Sequence, residues 1–103
     1  MICKDLEEVR DNIDKIDEEI VKLIAKRSNY VMQATNFKKN SDDVKAPQRV
    51  EKVISKVRHL ANQNNLEPSI IEKVYREMID CFVNFELMIK KEEWKKCHSS
   101  YQK

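Results

Sequence analysis

The sequence predicts an all-α protein, and three observations carry that prediction. The first is composition: 37% of the 103 residues are charged, 7% are aromatic and glycine is absent. Phosphate-cradling loops, dinucleotide-binding turns and most turn-rich β architectures need glycine for left-handed backbone or close ligand approach, so they are excluded. The second is an unbroken stripe: Leu6, Val9, Ile13, Ile16, Ile20, Leu23, Arg27, Tyr30, Ala34 and Phe37 recur at alternating steps of three and four. That spacing is one face of a single long helix. The third is a pair of further amphipathic stretches, which begin near Pro47 and Pro68. Proline suits a first helical turn.

Taken in order, helix 1 is expected from Lys4 or Asp5 to about Lys39. Asp5, Glu7 and Glu8 sit at its positive end, and Lys38 and Lys39 at its negative end. A rod of that length spans about 50 Å. A compact domain of this size has a radius of gyration near 13 Å, roughly. The rod therefore overshoots the globule, and its apolar stripe is costly to leave in water. A second copy covering it, a homodimer, is the expected answer. Asn40 to Ala46 is turn chemistry. Helix 2, about Pro47 to Asn62, places Val50, Val53, Ile54, Val57, Leu60 and Ala61 on one side. After Gln63-Asn64-Asn65, helix 3 is expected over Pro68 to Lys91. Its broad apolar face holds Ile71, Val74, Tyr75, Met78, Ile79, Phe82, Phe85 and Ile89. From Glu92 the chain turns polar and aperiodic, and the tail over 92–103 is expected to fray. The whole chain, 1–103, reads as one three-helix domain.

Composition also narrows the function classes. The net charge of +2 arises from 20 basic and 18 acidic residues, well mixed, so no concentrated basic face points to nucleic acid. No apolar run approaches a membrane span, and no secretory segment opens the chain. Cys3, Cys81 and Cys97 form no CxxC, and no histidine lies at zinc spacing; His98 beside Cys97 is a tail pair. Cys81 is expected as a small core residue. A soluble cytoplasmic protein with no metal and no cofactor is the expectation.

Two charges break the apolar pattern. Arg27 holds a position on the helix 1 stripe, and Glu86 sits on the helix 3 face, seven after Ile79 and three before Ile89. A buried charge is costly unless an opposite charge meets it. Arg27 is therefore read either as facing an anionic ligand in a helical core or as an internal ion pair with a glutamate of another helix. Lys38 follows Arg27 by eleven residues, which on one helix returns to within roughly 20°, so both cations are expected to point the same way, about 16 Å apart along the axis. Arg10 precedes Arg27 by seventeen, which puts it about 25 Å away on another face. A single helix cannot bring Arg10 and Arg27 to one small ligand, but a partner helix in a dimer can. Exposed pairing of Arg10 with Asp14, and Lys38 as decoration of the helix end, are the plainer alternatives.

These residues resemble a known family. Leu6-Glu7-Glu8-Val9-Arg10-Asp11-Asn12-Ile13-Asp14-Lys15-Ile16-Asp17 is similar to the opening "lR..Id.iD..i..Ll..R" of the all-helical chorismate mutases. Arg27 falls on the second arginine of that pattern, and Phe37-Lys38 resembles the lysine that closes its first helix. The likeness continues through Ala46-Pro47-Gln48-Arg49-Val50 to Glu86, so it covers roughly residues 5 to 90. It implies an intertwined homodimer of three-helix subunits with two buried sites. It also implies rearrangement of chorismate to prephenate without cofactor or covalent intermediate. By the same resemblance, Arg27 and the other subunit's Arg10 clamp carboxylates, and Lys38 reaches a carboxylate and the ether oxygen. Phe82, Ala46, Arg49 and Val50 would contact substrate. Glu86 stands where many relatives carry glutamine, and it must be protonated to donate to the ether oxygen.

One stretch departs from the mutase pattern. Mutases read roughly Asp-Pro-Glu-Arg-Glu at the start of helix 2, and the second glutamate binds the ring hydroxyl of chorismate. Here Val50 takes its place and cannot accept that hydrogen bond. Ala46-Pro47-Gln48-Arg49-Val50 resembles instead the isochorismate-pyruvate lyases, which form salicylate and pyruvate. A similar Arg-Val pair occurs in 4-amino-4-deoxychorismate mutases. Three substrates, each with two carboxylates, thus remain open, with chorismate leading. The non-enzymatic alternative is a dimeric helical interaction module in which Arg27 and Glu86 form internal ion pairs.

Overall fold

A computed structural model describes the backbone of residues 2–101 and the side chains of residues 2–91. It is all-α, with helices α1 (Leu6–Thr35), α2 (Ser41–Lys45), α3 (Pro47–Gln63) and α4 (Pro68–Tyr101). Two compact units divide the chain, Met1–Asn36 and Phe37–Lys103.

The first unit is α1. Its start is fixed by Asp5, which has extended backbone and whose side chain accepts from the Glu8 amide at 2.8 Å. Glu7 and Glu8 add negative charge at the positive end of the dipole. The helix ends at Thr35, short of the expected Lys39. Periodicity alone favours its continuation, since Phe37 keeps the apolar register, but capping overrides it. Asn40 takes extended backbone and accepts from the Asp43 amide at 2.9 Å, and so opens a new helix. A chain that must be extended at Asn40 cannot also be in α1 there. Lys38 thus lies outside the helix, and helical spacing from Arg27 no longer sets its direction.

The stretch read as a turn, Asn40 to Ala46, contains that new helix. The Lys39 amide donates to Asp43 Oδ2 at 3.0 Å, so Asn40 and Asp43 cap α2 from both sides. Ala46 then takes left-handed backbone, φ 37° and ψ 62°, and Pro47 begins α3. A non-glycine residue is disfavoured there by Cβ contact with the backbone, and in a chain without glycine a small residue is the nearest substitute. The other left-handed site is Asn65, φ 56°. It closes α3 as a Schellman motif, with the Leu66 amide donating to Ala61 O at 2.9 Å and the Asn65 amide to Asn62 O.

The second unit has a core. Val44 of α2 and Ile54, Val57 and Ala61 of α3 are buried, and α2 and α3 both pack on α4. Ile71, Tyr75, Met78, Ile79, Phe82 and Ile89 are half-buried on α4, while Val74 and Phe85, expected on the same face, are exposed. Cys81 is exposed too, which corrects its expected core position: it lies two residues beyond Ile79, off the buried stripe. An ion-pair lattice joins α3 to α4. Arg76 grips Glu51 with two hydrogen bonds, at 2.9 and 3.0 Å, and Glu72 with one, at 2.8 Å. Arg58 also donates to Glu72, at 2.7 Å. The α4 backbone is helical to Tyr101, beyond the expected end at Lys91; the tail side chains, Cys97 and His98 among them, lie outside the described residues.

Candidate active site

The site begins with a glutamate that has no solvent. Glu86 is 2% exposed, the largest fully buried side chain among the described residues. It sits on α4 one turn after half-buried Phe82, so the surrounding hydrocarbon makes an unpaired carboxylate expensive. Lys38, from the segment that links the end of α1 to α2, answers it: Nζ donates to Glu86 Oε1 at 3.1 Å. The two residues are 48 positions apart. Both charges that the sequence singled out in this unit therefore meet. In this contact Glu86 accepts from the Lys38 ammonium.

A buried cation lies one turn on. Lys90 is 7% exposed, four residues after Glu86 on the same helix. Sequence reasoning passed over it, because a lysine next to Lys91 near the expected helix end reads as dipole decoration. The signal that finds it is the spacing of four from the misplaced glutamate.

Ala46 and Arg49 line a cleft of about 560 Å³ together with Asp42, Asp43, Pro47, Gln48 and Lys52. It opens at the start of α3, where no side chain caps the helix. Val50 is half-buried in the first turn, and its amide donates to Ala46 O at 3.0 Å. Lys38 and Glu86 are not in the lining of this cleft.

Arg10 and Arg27 both belong to α1. Arg10 is exposed and Arg27 half-buried. As α1 is continuous between them, their separation stays at about 25 Å and their directions differ. One chain's helix does not bring them together. Among the described residues no cluster of His, Cys, Asp and Glu is suited to hold a metal ion, and no helix is long and apolar enough to cross a membrane.

Comparison with known proteins adds to this geometry. The family model for chorismate mutase type II matches residues 9–87, a span that takes in Arg10, Arg27, Lys38 and Glu86. The chain is 30% identical to the isochorismate pyruvate lyase of Pseudomonas aeruginosa over 81 residues, 79% of this chain and 80% of that one. It is 29% identical to the chorismate mutase of Methanocaldococcus jannaschii over 76 residues, 73% and 77% of the two chains. A bifunctional chorismate mutase/prephenate dehydratase of Buchnera aphidicola is 31% identical over 77 residues, 74% of this chain and 20% of that protein.

Proposed function

The chain belongs to the chorismate mutase type II family, and on that premise we propose that it rearranges chorismate to prephenate. The observation that supports this reading most directly is the Lys38–Glu86 pair, an ammonium held at 3.1 Å by a buried carboxylate. Chorismate carries two carboxylates and an enolpyruvyl ether oxygen that gains negative charge as its C–O bond stretches. The step is intramolecular: that bond breaks while a C–C bond forms, with no proton to remove. An enzyme for it must fold the substrate into a near-attack shape and set fixed donors around the developing charge.

Lys38 is the donor for the ether oxygen and one carboxylate, and Glu86 aims it. Arg27 clamps a carboxylate in the planar, two-pronged way that guanidinium allows. The second carboxylate goes to Arg10 of the partner subunit, because α1 holds its own Arg10 and Arg27 too far apart for one small molecule. The homodimer is required by this scheme and has separate support. Leu6, Ile13, Ile16, Ile20, Leu23 and Tyr30 of α1 are all exposed in the single chain. Burying six such side chains is favourable by on the order of 10 kcal/mol.

A second reaction has a specific observation in its favour. Val50 stands where mutases carry the carboxylate that accepts from the ring hydroxyl of chorismate, and the Pseudomonas aeruginosa relative is an isochorismate pyruvate lyase. Elimination of pyruvate from isochorismate, leaving salicylate, needs the same grip on two carboxylates. Purified protein supplied with chorismate and isochorismate in parallel decides between them. Prephenate from chorismate is the expected principal product. Salicylate and pyruvate from isochorismate, with chorismate untouched, would select the lyase. Turnover of neither would leave 4-amino-4-deoxychorismate as the substrate or a non-enzymatic helical module.

A further inference from the structure

We propose that Lys90 is a positioning residue of this site: it is the counter-cation that keeps the Glu86 carboxylate compensated when Lys38 turns to the substrate. The inference rests on the catalytic reading above, and it starts from burial. Glu86 and Lys90 are both almost wholly withdrawn from solvent, at 2% and 7% exposure. They lie four residues apart on one continuous helix, α4. That spacing sets their Cβ atoms about 5–6 Å apart on one face, with glutamate N-terminal to lysine, the favourable order.

The need for a second cation follows from the charge of the ligand. In the free protein Lys38 neutralises Glu86 at 3.1 Å. A dianionic substrate that engages Lys38 competes for the same ammonium, and an otherwise uncompensated carboxylate would repel it in a poorly screened setting. Lys90 removes that conflict. With it, Lys38, Glu86 and Lys90 together carry one net positive charge, the same as a lysine beside a neutral amide. Members of the resembled family that carry glutamine at the Glu86 position have no such charge to balance. In this chain the glutamate and the lysine one turn on act as a unit. Glu86 can then remain an acceptor that aims Lys38 throughout the reaction.

A double-mutant cycle over Glu86 and Lys90 tests this, with two readouts. In kinetics, K90M is expected to lower kcat/KM by roughly tenfold, mainly through KM, because the repulsion acts on the bound dianion before and during reaction. K90R, which keeps the charge, restores most of it. In the E86Q background the K90M penalty is expected to shrink to less than about twofold. In thermal melting, K90M lowers Tm in the otherwise native chain and much less in the E86Q background, where no carboxylate needs the cation. Wild-type kinetics from K90M, or a K90M loss of equal size with and without E86Q, would overturn the proposal. The melting cycle keeps the test independent of activity. Protein that turns over none of chorismate, isochorismate and 4-amino-4-deoxychorismate refutes the catalytic reading, whereas equal Tm losses in both backgrounds refute the Glu86–Lys90 pairing itself.

Discussion

The two units of the chain solve the problem of apolar surface in opposite ways. Residues 37–103 bury theirs internally: Val44, Ile54, Val57 and Ala61 are shielded within the unit, and Arg58, Glu51, Glu72 and Arg76 bind α3 to α4 at the surface. Unit Met1–Asn36 keeps a stripe of the same quality exposed, with Ile13 at 50% and Leu23 at 62%. An amphipathic helix of 30 residues with no cover is not a stable solitary object. The contrast teaches where the chain covers its own apolar surface and where it leaves that surface exposed. It also falls along the line of the proposed chemistry. The self-sufficient unit holds the Lys38–Glu86 pair, and the exposed helix holds the two arginines.

Arg27 gives the largest expected effect. If it clamps a substrate carboxylate, R27A lowers kcat/KM by about 10²–10³, while circular dichroism and sedimentation show an intact helical dimer. Loss of helix or of the dimer together with activity would instead make Arg27 a structural ion pair, and the exposed unit would carry no chemistry of its own.

Complementation sharpens the contrast further. R10A and K38M are each expected to be nearly inactive alone. Mixed and reassociated, they should recover about a quarter of wild-type activity, since half of the dimers are mixed and each has one complete site. Recovery requires that Arg10 serve the neighbour's Lys38. A mixture as inactive as its parts would place Arg10 in its own chain's site, or in none.

Glu86 comes next. With Glu86 as the acceptor that aims Lys38, E86A is expected to lower kcat/KM about tenfold, and E86Q, whose amide oxygen still accepts from the ammonium, to lose less. Activity that rises in E86Q would restore the donor role implied by the family resemblance, because its amide N–H donates.

How much of this was legible before the structure follows from what each signal measures. Periodicity and proline placed α3, the start of α4 and the whole face of α1, since those depend on local spacing. The end of α1 was not legible from spacing, because the apolar register runs on to Phe37 while the Asn40 cap decides the boundary. Helix α2 escaped for the same reason: five residues are too short to show a period, and Asn-Ser-Asp-Asp serves a turn and a helix cap equally well. Lys38 and Glu86 stood out singly, as a basic residue at a matched motif position and a charge on an apolar face. Their meeting across 48 positions is a tertiary fact that no spacing contains. Lys90 hid because its neighbour Lys91 is exposed and a lysine pair looks like surface.

The smallest effect tests the self-sufficient unit from its surface. Hydrogen bonding to Arg76 first, then to Arg58, holds the Glu72 carboxyl below its ordinary value of 4.5. The two-pronged Arg76 contact does the same to Glu51, and these carboxylates in turn push the guanidinium pKa up. A carboxyl depressed in the folded state contributes stability that is present in full above its unfolded value and fades as pH falls through the folded one. The lattice therefore contributes at neutral pH and is lost only below about 4.5, as Glu72 and Glu51 take up protons. R76M should lower Tm slightly at pH 7, and its deficit relative to wild type should narrow as the acid limb is descended. High salt should narrow it as well, because these side chains are partly exposed and screened. A deficit that stays constant from neutral pH into acid would mean that Arg76 acts by packing its aliphatic stem across α3 and α4 rather than by charge. The independence of the second unit would then rest on apolar contact alone.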